Sequence, residues 1–180
     1  MLKKYVCCFL TLMAFNACSE EQNSAEVKAL KVNLEQFEAQ RLNEEKTRDF
    51  AEGYIKATNS PNWKTEMRSY LKEGPESDKF LEEEYTVFRK SFPNAQITIK
   101  HIVVNGNECI LWLEETANYV ETYLADNGFR DNILKETKAK NQFLKWNEVW
   151  YFNVEDGKFG SEWDFLKDNY KILNDLKLNK

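Results

Sequence analysis

Near Gln96 the spacing of apolar residues switches from a helical period to a strand period, and this switch limits the folds open to the chain. Upstream, Val27, Leu30, Leu34 and Phe37 recur at helical spacing. The stripe fails at Arg41, Glu44 and Glu45, then resumes with Phe50, Ala51, Tyr54, Ile55 and Thr58. The two segments are either separate helices or one long helix with a polar middle. Asn59-Ser60-Pro61 ends the pattern, and Ser60 and Pro61 suit the cap and first turn of a next helix carrying Trp63, Met67 and Tyr70 or Leu71. Gly74-Pro75 stops it. Ser77 is then the expected cap of a third helix with Leu81, Tyr85, Phe88 and Phe92 on one face, broken by Pro93-Asn94.

Downstream the period is two. Ile97, Ile99, His101 and Val103 share one parity, and Asn105-Gly106-Asn107 is a hairpin signal. The return strand runs from Glu108 to about Tyr123, with Cys109, Leu111, Leu113, Glu115, Ala117 and Tyr119 on one face. Residues 124–142 are polar and predict an excursion or short helix. Phe143 to Val154 predicts a strand, Asp156-Gly157 a tight turn, Lys158 to Phe165 the returning strand, and Ile172, Leu173 and Leu176 a closing helix. Helices followed by an antiparallel meander make an α+β fold. A curved antiparallel sheet wrapped around the N-terminal helices would enclose a conical cavity.

The first residues carry a different signal. Lys3 and Lys4 precede an uncharged, largely apolar run from Tyr5 to Phe15, shorter than the roughly 20 residues that span a bilayer. Phe15-Asn16-Ala17-Cys18 resembles a bacterial lipobox, with Phe15 and Asn16 departing from the usual Leu and small residue. The expected organisation is a signal peptide over 1–17, a tether and helical stalk lipidated at Cys18 over 18–45, and the α+β domain over 46–180. Ser19-Glu20-Glu21 resembles the surface-export signal of Bacteroidetes lipoproteins, and equally suits a solvated spacer. The expected location is the cell envelope, lipid-anchored at the outer membrane, with surface exposure left open.

Of four cysteines, Cys7 and Cys8 lie in the expected signal and Cys18 takes the lipid, which leaves Cys109 as a buried thiol without an intrachain partner. The formal charge of −5 becomes −7 once Lys3 and Lys4 are removed. An acidic domain lacking a basic cluster argues against nucleic acid. No phosphate loop, nucleophile elbow or zincin helix is present, and neither a metal nor a cofactor is expected.

Tyr85 to Pro93, Ile97 to Val104 with Gly106, Trp146 to Phe159, and Glu162-Trp163-Asp164 together resemble the SnoaL-like group of the nuclear-transport-factor-2-like superfamily. The resemblance covers about residues 46–175 and implies a cone-shaped α+β domain. It implies either a binding module or an enzyme of cyclase, isomerase or dehydratase type. Cyclases of the group often carry a histidine in a Gly-Thr-His stretch, where this chain has Glu114 to Tyr119. They also tend to place an acid four residues past the tryptophan, where this chain has Lys167.

Glu148 interrupts the parity of Leu144, Trp146, Trp150, Phe152 and Val154. A carboxylate on such a face is either a general base of raised pKa or a group held by a Lys, Arg or backbone partner. His101, by parity with Ile97 and Ile99, is its candidate acid–base partner or a core histidine. Tyr54, Trp112, Glu115, Tyr119, Trp146, Trp150, Trp163 and Asp164 are candidate ligand contacts; the aromatics could stack on a flat ligand or simply fill a core. The leading expectation is a non-catalytic envelope lipoprotein whose partner is a small hydrophobic molecule or a protein, a homodimer through the open sheet face being one form of the latter. The alternative is an enzyme using a pocket carboxylate as general base.

Overall fold

The polar stretch at Arg41, Glu44 and Glu45 does not break the first helix. In the computed structural model of the chain, α1 runs without interruption over Lys3–Asn59. The structure describes residues 3–123, 138–168, 171, 172 and 175, with the backbone alone over 3–24. The chain forms two units, Met1–Leu42 and Asn43–Lys180. In the first, Val27, Leu30, Leu34 and Phe37 are exposed. Among the described residues no helix is long and apolar enough to cross a membrane.

The second unit begins with the last turns of α1, where Phe50, Ala51, Tyr54, Ile55 and Thr58 are buried on the face the spacing predicts. Next come α2 (Trp63–Arg68), α3 (Pro75–Lys79), a π-helical stretch (Phe80–Tyr85) and α4 (Thr86–Ser91). The helix expected from a cap at Ser77 starts earlier. Gly74, at φ 146°, is its cap and Pro75 its first residue, where the missing proline N–H costs nothing.

Four strands follow as an antiparallel meander: β1 (Gln96–Asn105), β2 (Glu108–Tyr119), β3 (Gln142–Glu155) and β4 (Lys158–Lys167), in the order β1-β2-β3-β4. The sheet is curved and unclosed. The β3–β4 turn has Asp156 at φ 50° and Gly157 at φ 70°, the paired positive angles of a two-residue hairpin. The excursion expected over 124–142 lies outside the described residues as far as 137, and 138–141 lead into β3 without helix. Lys171, Ile172 and Asp175 are helical, while Leu173 and Leu176 lie outside the described residues.

Strand parity places the inner face of β2 as expected: Cys109, Leu111, Leu113, Glu115, Ala117 and Tyr119 are all buried. On β1 the pattern shifts. Ile99 pairs with Leu113 and His101 with Trp112, so Lys100 is an extra residue in a β-bulge. Beyond it Ile102 and Val104 turn inward, and His101 and Val103 turn out to solvent.

Two apolar clusters fill the unit. One packs Phe50, Tyr54, Ile55 and Met67 against Leu111, Leu113, Trp150, Phe152 and Phe159. The other gathers Phe88, Phe92, Tyr119, Leu144, Trp146 and Ile172. Asn59 joins helix to sheet: its Nδ2 donates to the Ile97 carbonyl and its Oδ1 accepts from the Ile97 N–H, both at 2.7 Å. Thr47 Oγ1 reaches the Gly106 carbonyl at 2.9 Å and so ties the β1–β2 turn to α1. Replacing Asn59 by Ala strands both main-chain groups of Ile97. The expected loss is about 1–3 kcal/mol of unfolding free energy, read from the urea midpoint at unchanged m-value.

Candidate functional site

A cavity of about 290 Å³ lies between the helices and the inner face of the sheet. Tyr54 of α1 faces it from one side. The π-helical stretch and α4 supply Phe80, Glu84, Tyr85 and Phe88. A π turn brings residues five apart into register, and here the Phe80 and Tyr85 ring centroids lie 5.8 Å apart. The Thr86 hydroxyl donates to the Leu81 carbonyl, also five residues back, at 2.7 Å. The sheet contributes Ile97, Glu115, Glu148, Trp150, Trp163, Phe165 and Lys167. Trp163 stacks on Phe159 at 4.9 Å with planes 12° apart, and Phe80 meets Trp163 edge-on at 5.7 Å.

The polar centre of this apolar space is built on Glu148, which is 4% exposed. Its Oε1 accepts from Trp146 Nε1 and Lys167 Nζ, each at 2.7 Å, and its Oε2 accepts from Trp150 Nε1 at 2.7 Å. Alternate residues of one strand point to one side, so Trp146 and Trp150 flank Glu148 by sequence spacing alone. Lys167 arrives from the adjacent strand, directly opposite Glu148 in the register, and its ammonium also lies 5.3 Å from the centre of the Trp146 ring. Burial pushes the Glu148 carboxyl up, but the Lys167 ammonium and the two indole N–H groups outweigh it and hold Glu148 below the usual carboxylate range. Lys167 shows the reverse balance. Burial lowers it, but the negative charge of the Glu148 and Glu115 pair and the hydrogen bond to Glu148 outweigh burial, and it stays protonated.

Glu115, 3% exposed, hydrogen-bonds to Glu148. Burial and the neighbouring Glu148 charge push its carboxyl well above the ordinary range. Two carboxyls in contact cannot both ionise in a dry site; Lys167 and Arg89 lower Glu115 too, but Lys167 bonds directly to Glu148, and Glu115 keeps the proton. Its Oε1 finds no hydrogen-bond partner among the described residues. Tyr54 and Tyr85 are both raised, by burial first; Tyr85 also lies near the Glu115 and Glu148 carboxyl pair, whose negative charge raises it, and receives a hydrogen bond from Arg89. Cys109 is buried and free, its thiol pushed up to about 12 by burial, an inert structural group.

The structure brings together Tyr54, Glu115, Glu148, Trp150 and Trp163 of the residues expected at a site. The expected pairing of Glu148 with His101 does not occur. The bulge at Lys100 sends His101 to the outer face, where it is exposed with its ring 5.1 Å from that of Trp112. Trp112 is 47% exposed, since its parity is opposite to that of Leu111 and Leu113. Asp164 is exposed for the same reason, being opposite in parity to Trp163 and Phe165. Tyr119 and Trp146 are buried in the second cluster rather than in the lining, although Trp146 still orients Glu148. Lys167, Tyr85, Phe80 and Phe88 join the lining in addition to the residues expected from sequence. Lys167 was legible by the same signal as Glu148, a charge on the Trp163 and Phe165 parity. Among the described residues no group of His, Cys, Asp and Glu is placed to hold a metal.

No protein-family model and no curated protein matches the chain by sequence. Solved structures do match it by shape. A SnoaL-like polyketide cyclase from Agrobacterium tumefaciens aligns at TM-score 0.56 and 12% identity, covering 72% of this chain and 97% of that one. TsrD from Streptomyces laurentii aligns at 0.54 and 15%, covering 73% and 94%. AclR from Streptomyces galilaeus, named as a candidate hydroxylase, aligns at 0.55 and 15%, covering 76% and 99%. The fold is the nuclear-transport-factor-2-like cone. At these identities the cone is what is shared, and its chemistry must be argued from the side chains.

The two acids bias stability in opposite senses. Glu148, lowered in the fold, contributes stability above its ordinary value of 4.5 that is lost as pH falls through the folded value. Glu115, raised in the fold, contributes stability below 4.5 that is lost as pH rises toward its folded value. The urea midpoint is therefore expected to decline from mildly acidic to mildly alkaline pH, and Glu115→Gln to flatten that decline. A Glu115→Gln variant with an unaltered slope would show that Glu115 is not the neutral partner. Lys167→Met leaves Glu148 buried and without its cation, and should cost about 3–5 kcal/mol of stability by urea unfolding at neutral pH.

Proposed function

We propose that the α+β domain binds a small, flat, largely apolar molecule in the cavity beneath Trp163. The observation that carries this reading is the hollow itself. Phe80, Phe88, Trp150 and Trp163 bound space that side chains of a packed core would fill. At about 290 Å³ it is at the small end of ligand sites, suited to one or two fused rings. Aromatic walls with a few convergent polar groups are the usual composition of such a site. That structures of this fold carry names such as polyketide cyclase supports a small-molecule occupant.

An enzyme of isomerase, cyclase or dehydratase type has one observation in its favour. Adjacent carboxyls with opposed pKa shifts are the arrangement acid–base chemistry requires. In that reading Glu115 is the proton donor. Glu148 makes a poor base, because three donors already occupy its oxygens. For a protein partner or a second copy, the surface to consider is the outer sheet face, where Val103, Ile110, Trp112 and Leu166 are exposed.

We further propose that the domain is displayed at the cell envelope through lipid on Cys18, as the lipobox-like sequence suggests. Cys18→Ala is expected to abolish incorporation of labelled fatty acid in a bacterial host, and undiminished labelling would remove the anchor from the reading. For the pocket, ligand-observed NMR with naphthalene is expected to show saturable binding to the purified chain, lost when Phe88→Arg fills the cavity and kept in His101→Ala. Absence of saturable binding would overturn the pocket reading.

A further inference from the structure

The hydrogen-bond inventory around Glu115 specifies more than an apolar occupant. Both oxygens of Glu148 are taken up by N–H donors, two from indoles and one from Lys167. Glu148 is therefore an acceptor only. Glu115 touches it, and among the described residues no N–H or O–H group donates to Glu115. The contact between the two carboxyls needs a proton, which has one place to reside: on Glu115, directed at Glu148. A protonated carboxyl has one O–H donor and one carbonyl-type oxygen. With the O–H committed to Glu148, the carbonyl oxygen of Glu115 is left as an acceptor with no donor. It belongs to a nine-tenths buried side chain on the cavity lining.

We propose that the cavity selects a neutral molecule that donates a hydrogen bond, a phenol or alcohol on a flat apolar body, to the Glu115 carbonyl oxygen. This rests on the pocket reading above and adds the polarity of the ligand to it. A ligand offering a carbonyl or ether oxygen at that point sets two acceptors against each other. An anionic ligand gains little, because the Lys167 cation that also lines the cavity is already neutralised by Glu148. A donor satisfies a carboxyl that has no donor among the described residues, and the Glu148–Lys167 pair keeps the Glu115 proton turned away from the ligand. Lys167 and Glu148 thus act as positioning residues, fixing which end of the Glu115 carboxyl faces the hollow.

The test uses four probes of nearly equal shape on the purified full chain at mildly acidic pH, followed by ligand-observed NMR titration: naphthalene, β-naphthol, its methyl ether, and methyl β-naphthyl ketone. β-Naphthol is expected to bind about five- to tenfold more tightly than the ether or the ketone, the range one uncharged hydrogen bond to a buried acceptor supplies. Glu115→Leu should abolish the preference while still binding naphthalene. Glu115→Gln should restore it, because a glutamine can donate N–H to Glu148 and turn its carbonyl oxygen to the cavity. Equal affinities for naphthol and ether, or a tighter ketone, would overturn the proposal and leave the pocket reading standing. Should none of the four bind, naphthalene included, the pocket reading itself falls and this one with it.

Discussion

The cone is organised around an ionised carboxylate that would be intolerable in an apolar interior if it were alone. Moving such a group out of water costs several kcal/mol even after relaxation. Glu148 is held by Lys167 and by two indole N–H groups, at 2.7 Å in each case. None of these partners is accidental to the fold. Trp146 and Trp150 stand two residues to either side on the same strand, and Lys167 sits opposite on β4. Register errors are heavily penalised in consequence. A one-residue slip of β4 would send Lys167 to the outer face and leave the carboxylate uncompensated.

The same residues mark a seam between two hydrophobic bodies. Along β2, Glu115 falls between Leu113, which packs in the first cluster, and Ala117, which packs in the second. Along β3, Glu148 falls between Trp150 of the first and Trp146 of the second. The inner face of the sheet is therefore apolar at both ends and carboxylic in the middle. On the helical side the π turn sits across this seam and brings Phe80 and Glu84 to the side that Tyr85 occupies. The hollow lies where the polar middle of the sheet meets that irregular turn, which is where the two clusters cannot close on one another.

How much of this was legible depended on whether a rule with period two held locally. It held along β2 and β3, so the embedded acids at Glu115 and Glu148 could be found from sequence, as could the helix face bearing Tyr54. It failed on β1, because the bulge at Lys100 inverts every side chain after it and carries His101 away from the cavity. Nothing in the run Ile99-Lys100-His101-Ile102 announces that bulge. Its cause is pairing across to Leu113 and Trp112, a long-range constraint. The helical period likewise gave Tyr85 and Phe88 as core positions but not Phe80 or Glu84, which the π turn rotates onto the same side. The parity that exposes Trp112 and Asp164 was readable, and it decides against both.

A domain stabilised for its own sake has little use for such a centre. Replacing a buried charged group and its partners by well-packed apolar side chains is often neutral or stabilising. Leaving a buried acceptor unsatisfied costs about 1–3 kcal/mol more. The chain carries both costs at one place, and beside them a cavity that forgoes further packing. These expenditures coincide on one set of side chains, with Glu115 turned to the hollow and Glu148 and Lys167 behind it. Their coincidence is the physical argument for the pocket reading proposed above. On the proposed reading a single occupant answers all three, filling the aromatic space and bringing a hydrogen-bond donor to Glu115.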